Sequence, residues 1–366
     1  MKFLKNTSLF LALLVSVSCN TVSQNNLIDD QITETAEFSN TKIIQQSKFL
    51  CVTLPTGGDS EIIKVQNLVT KELTSLPVPG AVQDMAEDLD NNIIYINAKT
   101  GTEKDDKAAY YSLFKLDLKT KQISRILSFS QLGMKPTDFI VDDNKVFVTG
   151  KRSGVGAFYG NDLIKNEWFA VANNVSPGRI EVGLKENTFH IVSYDDQYVT
   201  RTIVDVKTKQ ILARKTIKHD IPFGNNVFIS SPHGSYVYVL HQLKDSFIPY
   251  AFNLKQGTFT KFAEVQTNGG LLYSAIVSND GRHLLTNINR EIYHYKLEGD
   301  KLTPLPKITL TIPESRNMAM AANNTTLYVT HETGDKLSMV NFSASLNEFT
   351  LSQTYIGGVS NQVYLF

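Results

Sequence analysis

Cysteine is scarce in this chain of 366 residues: it has two, Cys19 and Cys51. That excludes a disulfide scaffold and a Cys-rich zinc module. Net charge is absent as well, 36 Lys and Arg against 36 Asp and Glu, so the basic footprint of a general nucleic-acid binder is missing. The seven His form neither His-x-His nor His-Glu-x-x-His, which leaves no sequence-local metal site. There is no Gly-x-Ser-x-Gly elbow and no helix-borne Ser-x-x-Lys. Gly154-Val155-Gly156 lacks a third glycine and a following helix, and no Cys-x-x-Cys-His offers a haem attachment. No cofactor and no metal are therefore expected. What remains is 42% apolar and 20% charged residues, the composition of a folded globular protein.

The N-terminus carries a targeting pattern. Lys2 and Lys5 precede a short apolar run, Leu9 to Val15, followed by Ser16-Val17-Ser18 and Cys19. A basic start, a short apolar stretch and small residues before a cleavage point read as a signal peptide over residues 1–18. The run is shorter than the roughly 20 residues of a membrane-spanning helix. Ser16-Val17-Ser18-Cys19 resembles a bacterial lipobox, with Ser16 where Leu is usual. The resemblance implies that Cys19 becomes the lipidated first residue of the mature chain; a plain signal peptide with a chance cysteine is the other reading. Asn20 after Cys19, rather than Asp, implies the outer membrane, periplasmic or surface-facing. Residues 19–45 are rich in Asn, Gln, Thr and Ser and read as a flexible tether. Cys51 lies in the apolar run Phe49-Leu50-Cys51-Val52 and reads as a buried, inert thiol.

From residue 46 onward short Val-, Ile-, Tyr- and Phe-rich runs alternate with Asn, Asp and Gly turns, the signature of strands. The runs also repeat. Asp117-Leu118-Lys119-Thr120-Lys121-Gln122-Ile123 returns two units later as Asp205-Val206-Lys207-Thr208-Lys209-Gln210-Ile211. Looser copies run from Gln66 to Leu73, from Asn161 to Trp168 and from Asn253 to Phe259, and further ones fall at Tyr295–Leu302 and Val340–Phe349. Each is a strand, a polar turn and a strand. A second hairpin precedes most of them, as in Val141-Asp142-Asp143-Asn144-Lys145-Val146 and Ser278-Asn279-Asp280-Gly281-Arg282-His283, with turn residues that tolerate positive φ. Two hairpins per unit of about 40–50 residues make a four-stranded propeller blade. The first unit lacks an inner strand, and the last strand, Ser360–Phe366, is unpaired. The expectation is an all-β, seven-bladed propeller over residues 46–366, with the C-terminal strand closing the first blade and removing both edges.

Leu327-Tyr328-Val329-Thr330-His331, followed by Gly334-Asp335-Lys336-Leu337-Ser338-Met339-Val340, resembles the YVTN repeat of that family's propellers. Asp117-Leu118-Lys119-Thr120 and Asp205-Val206-Lys207-Thr208 resemble the family's Asp-x-x-Thr turn, and His331 stands in place of its Asn. The likeness covers nearly all of residues 46–366. It implies the propeller fold; the YVTN and lactonase-like propellers include surface proteins, binding proteins and sugar-lactone hydrolases. A single tryptophan, Trp168, leaves out the periodic Trp residues of quinoprotein propellers.

Propellers bind at the funnel where the inner strands begin. Aligning those strands back from their turns gives one polar position in each: Asp84, Asp138, Glu181, Asn226, Ser274, Asn317 and Gln362. Three acids and four neutral polar groups would hold a cation or a polyol through oxygen, although a water-filled channel is polar without any ligand. Arg179 and Arg316 fall near the inner-strand starts and would give a lactonase its cationic help. His241 and His331 end equivalent strands near one rim. Lys99 to Lys107 reads as a long solvated loop, with Lys151–Gly154 its counterpart one blade on. The leading expectation is a monomeric, lipid-anchored binding or scaffold module for an envelope protein or glycan. The alternatives are a lactonase-like hydrolase and a cation or small-polyol binder at the central channel.

Overall fold

The computed structural model describes residues 48–366 apart from 57–59, 89–90, 101–110, 153–154, 184, 313, 343–347, 357–361 and 366. The signal peptide, Cys19 and the tether up to residue 45 lie outside the described residues, as does most of the loop read from Lys99 to Lys107. No α-helix appears among the described residues, and no helix there is long and apolar enough to cross a membrane.

Seven antiparallel sheets follow one another. Blade 1 holds β1 (Phe49–Pro55), β2 (Glu61–Asn67), β3 (Leu73–Val78) and the last strand, β29 (Gln362–Leu365). Its order is β29-β1-β2-β3, so the C-terminal strand is the innermost. Blade 2 runs outward through β4 (Ala81–Asp88), β5 (Ile93–Lys99), β6 (Tyr111–Asp117) and β7 (Gln122–Ser128). Blade 3 is β8 (Met134–Asp142), β9 (Lys145–Arg152), β10 (Val155–Asp162) and β11 (Glu167–Asn173); blade 4 is β12 (Arg179–Val182), β13 (Thr188–Tyr194), β14 (Tyr198–Asp205) and β15 (Gln210–Lys218). Blade 5 comprises β16 (Asn226–Ser230), β17 (Tyr236–Gln242), β18 (Ser246–Asn253) and β19 (Thr258–Lys261), with a short β20 (Val265–Gln266) also on β18. Blade 6 is β21 (Leu272–Val277), β22 (His283–Ile288), β23 (Glu291–Glu298) and β24 (Lys301–Thr309); blade 7 is β25 (Ser315–Met320), β26 (Thr326–His331), β27 (Lys336–Phe342) and β28 (Phe349–Tyr355). The arrangement is the expected propeller, closed by the C-terminal strand.

The packing explains the sequence pattern. Second strands such as β5 are buried on both faces, so they read as continuous apolar runs rather than as alternation. The apolar core is divided into seven clusters, one for each seam between neighbouring blades. Tyr95, Phe129, Met134 and Val148 fill the seam between blades 2 and 3. Backbones approach closely within two blades, at the first and second strands of blades 3 and 4. A Cβ on Gly150 would lie 2.2 Å from the Lys135 carbonyl oxygen, and one on Gly178 would lie 2.0 Å from that of Val192.

The repeated heptad is a turn with a mechanism. Asp117 Oδ1 accepts the N–H groups of Lys119 and Thr120, both at 2.9 Å. Asp205 does the same for Lys207 and Thr208, and Asp162 for Ile164 and Lys165. Asn67 and Asn253 make the neutral version. The residue that follows each bonded pair takes positive φ: Lys71, Lys121, Asn166, Lys209 and Gly257. Backbone N–H donors hold the Asp117, Asp162 and Asp205 carboxyls below the usual carboxylate range. The short Asp and Asn side chains are there because only they reach two backbone donors at this spacing.

Blade 6 carries a buried histidine pair. His283 Nδ1 and His294 Nε2 lie 2.9 Å apart, and the His294 ring packs against Phe342 of blade 7. Burial, then the His283 charge, pulls His294 down to about 4. Burial likewise lowers His283, against the pull of Asp280 and with the push of Lys296 and Arg282. A histidine depressed in the folded state supports stability above its unfolded pKa, near 6.5, and loses that support as pH falls toward the folded value. Acidification from pH 6.5 to 4 is therefore expected to remove on the order of 3 kcal/mol at His294. Melting the wild type and His294→Gln at pH 7.5 and 4.5 checks this. The variant should lose less, and equal losses would show that His294 does not titrate in this window.

Candidate functional site

The inner strands carry a ring of polar residues at one level. The level is fixed by counting four residues along each second strand from its pair with the turn residue: Ile93 with Asp117, Lys145 with Asp162, Thr188 with Asp205, Tyr236 with Asn253. It pairs Asp84 with Asn97 and Asp138 with Thr149. Gln362 pairs with Thr53, and Ser274 with Asn287. Asn317 joins them opposite Thr330, whose Oγ1 accepts the Asn317 N–H at 2.9 Å. In blade 4 this level holds Arg179 opposite Val192, and in blade 5 Val227 opposite Leu240.

Five of the seven positions aligned in the sequence thus share one level, and two stand outside it. Glu181 lies further along β12, opposite His190, and accepts a hydrogen bond from Ser230 Oγ of blade 5. Asn226 lies one residue off and points back toward blade 4. Its Nδ2 donates to Tyr194 Oη at 2.9 Å, and its Oδ1 meets His241 Nδ1 at 2.8 Å. The cause of the offset is local. Blades 2, 3, 6 and 7 carry a bulge beside the shared level, whereas β16 pairs without one, so a count made as for the others falls one residue early, on Asn226 instead of Val227; Glu181 lies two residues the other way from Arg179, a shift that the missing bulge does not account for. An added residue in one strand shifts any count made back from the turn.

The two acids of blades 2 and 3 form a pair. Asp84 is hydrogen-bonded through its side chain to Asp138. Asp138 Oδ2 accepts the Ile180 N–H of blade 4 at 2.7 Å, and Asp84 Oδ1 accepts the Met85 N–H at 2.8 Å. Burial, the Asp138 charge and the bond to Asp138 push the Asp84 carboxyl well above the usual range; the Met85 N–H and the Arg179 guanidinium oppose this. With the Asp138 carboxyl beside it, Asp84 favours its protonated form, because a second charge costs too much in a sheltered site. Beside them, Tyr364 of β29 donates to Gln362 Oε1 at 2.6 Å. Burial, then the Asp84 and Glu61 charges, raise its phenol.

Asp84 of this pair lines a cavity of about 410 Å³ between blades 2 and 3, together with Gln83, Asn97, Lys99, Tyr111 and Lys135 and with Pro136 and Thr137, the residues just before Asp138. That volume is within the ordinary range of ligand pockets, roughly 300–1,000 Å³. The sequence reading placed Lys99 in a solvated loop and gave Asn97, Tyr111 and Lys135 no role. Period-two alternation along β5, which sets Asn97 and Lys99 on the same face as Ile93 and Tyr95, was the available signal.

The remaining candidates are occupied elsewhere. Arg316 Nη2 bonds Glu332 Oε1 at 2.5 Å. His241 bonds Asn226, and His331 Nε2 lies 2.8 Å from Ser338 Oγ; both rings are buried within their blades. No cluster of three or more His, Cys, Asp or Glu suited to a metal occurs among the described residues. Cys51 is fully buried, and burial pushes its thiol up.

No protein-family model matches the sequence, and a search of curated proteins returns no match. Solved structures do match. A putative 6-phosphogluconolactonase from Bacteroides fragilis aligns with TM-score 0.57 and 14% identity, covering 88% of this chain and 99% of that one. A periplasmic gluconolactonase from Pseudomonas aeruginosa aligns with TM-score 0.58 and 12% identity over 87% and 98%. A hypothetical selenium-binding protein from Sulfolobus tokodaii aligns with TM-score 0.61 and 10% identity over 87% and 94%. At these identities the likeness shows a shared propeller fold, a scaffold that hosts unrelated chemistries.

Proposed function

We propose that this propeller is a lactonase-like hydrolase that opens a sugar lactone at the channel end of the cavity between blades 2 and 3. The supporting observation is the Asp84–Asp138 pair, one carboxyl holding a proton against its partner, beside a pocket of ligand size. Such a pair supplies an acid and a base at once. Asp138 takes a proton from water as its oxygen attacks the lactone carbonyl carbon. The ring C–O bond breaks, and Asp84 gives its proton to the departing ring oxygen. Proton transfer from Asp138 to Asp84 resets the pair, and the net change is lactone plus water to hydroxy acid. Two of the three structures described above carry lactonase names, which is consistent with this chemistry. The test is a pH-indicator assay of residues 46–366 on aldonolactones below pH 7.5. Rates no faster than the uncatalysed background across the panel would remove the proposal.

We place the protein in the bacterial envelope, anchored through Cys19, on the strength of the signal and lipobox pattern. Labelling with a fatty-acid analogue should mark the wild type and not Cys19→Ser, and the variant should move to the soluble fraction. A label that persists in the variant would exclude Cys19 as the anchor. The scaffold role expected from the sequence, with an envelope protein or glycan as partner, is not tested by the fold.

A further inference from the structure

The cavity between blades 2 and 3 carries more than its acid pair. Two ammonium groups and a carboxyl line it: Lys99 from the end of β5, Lys135 from the start of β8, and Asp84. Asp84 favours its protonated form beside Asp138, so among the described lining residues the lysine ammoniums carry the charge. The opposite requirement comes from Asn97. Its side chain is 3% exposed and lines the same cavity, and its Oδ1 is buried without a hydrogen-bond partner. An orphaned buried acceptor is costly and calls for a donor from outside the protein. Gln83 donates its Nε2 to the Ala81 carbonyl at 3.1 Å, which leaves its Oε1 as a second acceptor at the wall. The cavity thus presents cations to an anion and carbonyl oxygens to hydroxyl donors.

We infer that this cavity is a binding site for sugar acids, with the carboxylate on Lys99 and Lys135 and a hydroxyl donating to Asn97 Oδ1. The inference rests on the hydrolase reading in one respect: opening a lactone creates a carboxylate on a polyol, so the ligand class is the product of the proposed reaction. Ammonium groups near the reacting ester would favour ring opening as negative charge develops. The same groups would hold the product, and a sugar acid would then inhibit competitively. A phosphate would satisfy the lysines without using Asn97, and a neutral polyol would use Asn97 without the lysines. The carboxylate-bearing polyol uses both.

Calorimetric titration and thermal shift of residues 46–366 test this with gluconate, its neutral counterpart sorbitol, and inorganic phosphate. Gluconate is expected to bind saturably and at least tenfold more tightly than either of the others. The double variant Lys99→Gln, Lys135→Gln should weaken gluconate about tenfold and leave sorbitol unchanged, and Lys99→Arg, Lys135→Arg should restore binding. The variants' melts in the absence of ligand separate lost binding from lost folding. Sorbitol or phosphate binding as tightly as gluconate would overturn the inference. So would gluconate affinity that the double Gln variant leaves unaltered. Binding without any lactone hydrolysis would remove the hydrolase reading and leave the sugar-acid site standing; hydrolysis without discrimination by charge would do the reverse.

Discussion

A chain ending at residue 361, without β29, is expected to lose cooperative folding and to accumulate as aggregate. The strand is short, yet it holds three blades together. It supplies the inner partner of β1, pairing Leu365, Tyr364, Val363 and Gln362 with Leu50, Cys51, Val52 and Thr53. Val363 is buried in the seam between blades 7 and 1 with Val52, Tyr328 and Leu337. Tyr364 packs on the other side, in the seam between blades 1 and 2, and reaches the Gln83 carbonyl of blade 2 at 3.5 Å. Burial of a Val and a Tyr contributes roughly 2 kcal/mol each, and the four-residue ladder adds to that. The total is a large share of a domain stability of about 5–15 kcal/mol. Removal also turns β1, whose Leu50, Cys51 and Val52 are buried, into an open apolar edge, a template for pairing with another chain. Differential scanning calorimetry of the soluble yield checks the outcome. A chain ending at residue 361 that melts in one sharp transition near the wild-type temperature would show that closure through β29 is dispensable. Val363→Asp, which keeps the length and breaks only the seam, should fall in the same direction with a smaller loss.

The fold was legible because its signals repeat. One Asp-x-Lys-Thr turn says little, but its return two units later, with Asp162 between the two copies, Asn67 one unit before and Asn253 one unit after, fixes both strand pairing and blade length. The physical reason is that the turn is made locally, by one carboxylate oxygen reaching two backbone donors. The candidate site was legible only in part, because it depends on register. Asp84 and Asp138 were found by counting, since both strands carry the same bulge. The count put Glu181 and Asn226 in place of Arg179 and Val227, in blades 4 and 5, whose inner strands pair without that bulge. Arg179, which takes the shared level in blade 4, was named as a cation near an inner-strand start and not as one of the seven counted positions. The pocket itself was not legible. Lys99, Tyr111 and Lys135 come from three strands of two blades, and no local pattern joins residues that only the seam between blades brings together.

The hydrolase reading is expected to fail in a particular way when the acid pair is altered. Asp138→Asn keeps the shape of the pair and removes the base. An amide oxygen still accepts the Ile180 N–H but takes no proton from water, so kcat should drop about 100- to 10,000-fold, the usual worth of general acid–base catalysis. Binding should change little, because neither Lys99, Lys135 nor Asn97 is touched. Asp84→Asn removes the acid instead and leaves the ring oxygen to depart as an unprotonated alkoxide. The two losses should not add: once either partner is gone the pair no longer works as a unit, and the double variant should resemble the worse single one. Acidity gives a second readout. Asp84 must hold its proton to act, and burial beside Asp138 keeps it protonated well above the usual carboxylate range. Activity should therefore fall as pH rises through that elevated value. Asp84→Asn should be slow throughout and lack that alkaline limb, because its amide has no proton to lose. A wild-type rate that stays level across the range, or an Asp138→Asn enzyme within a few-fold of wild type, would take the chemistry away from this pair and leave it as a hydrogen-bonded clasp between blades 2, 3 and 4.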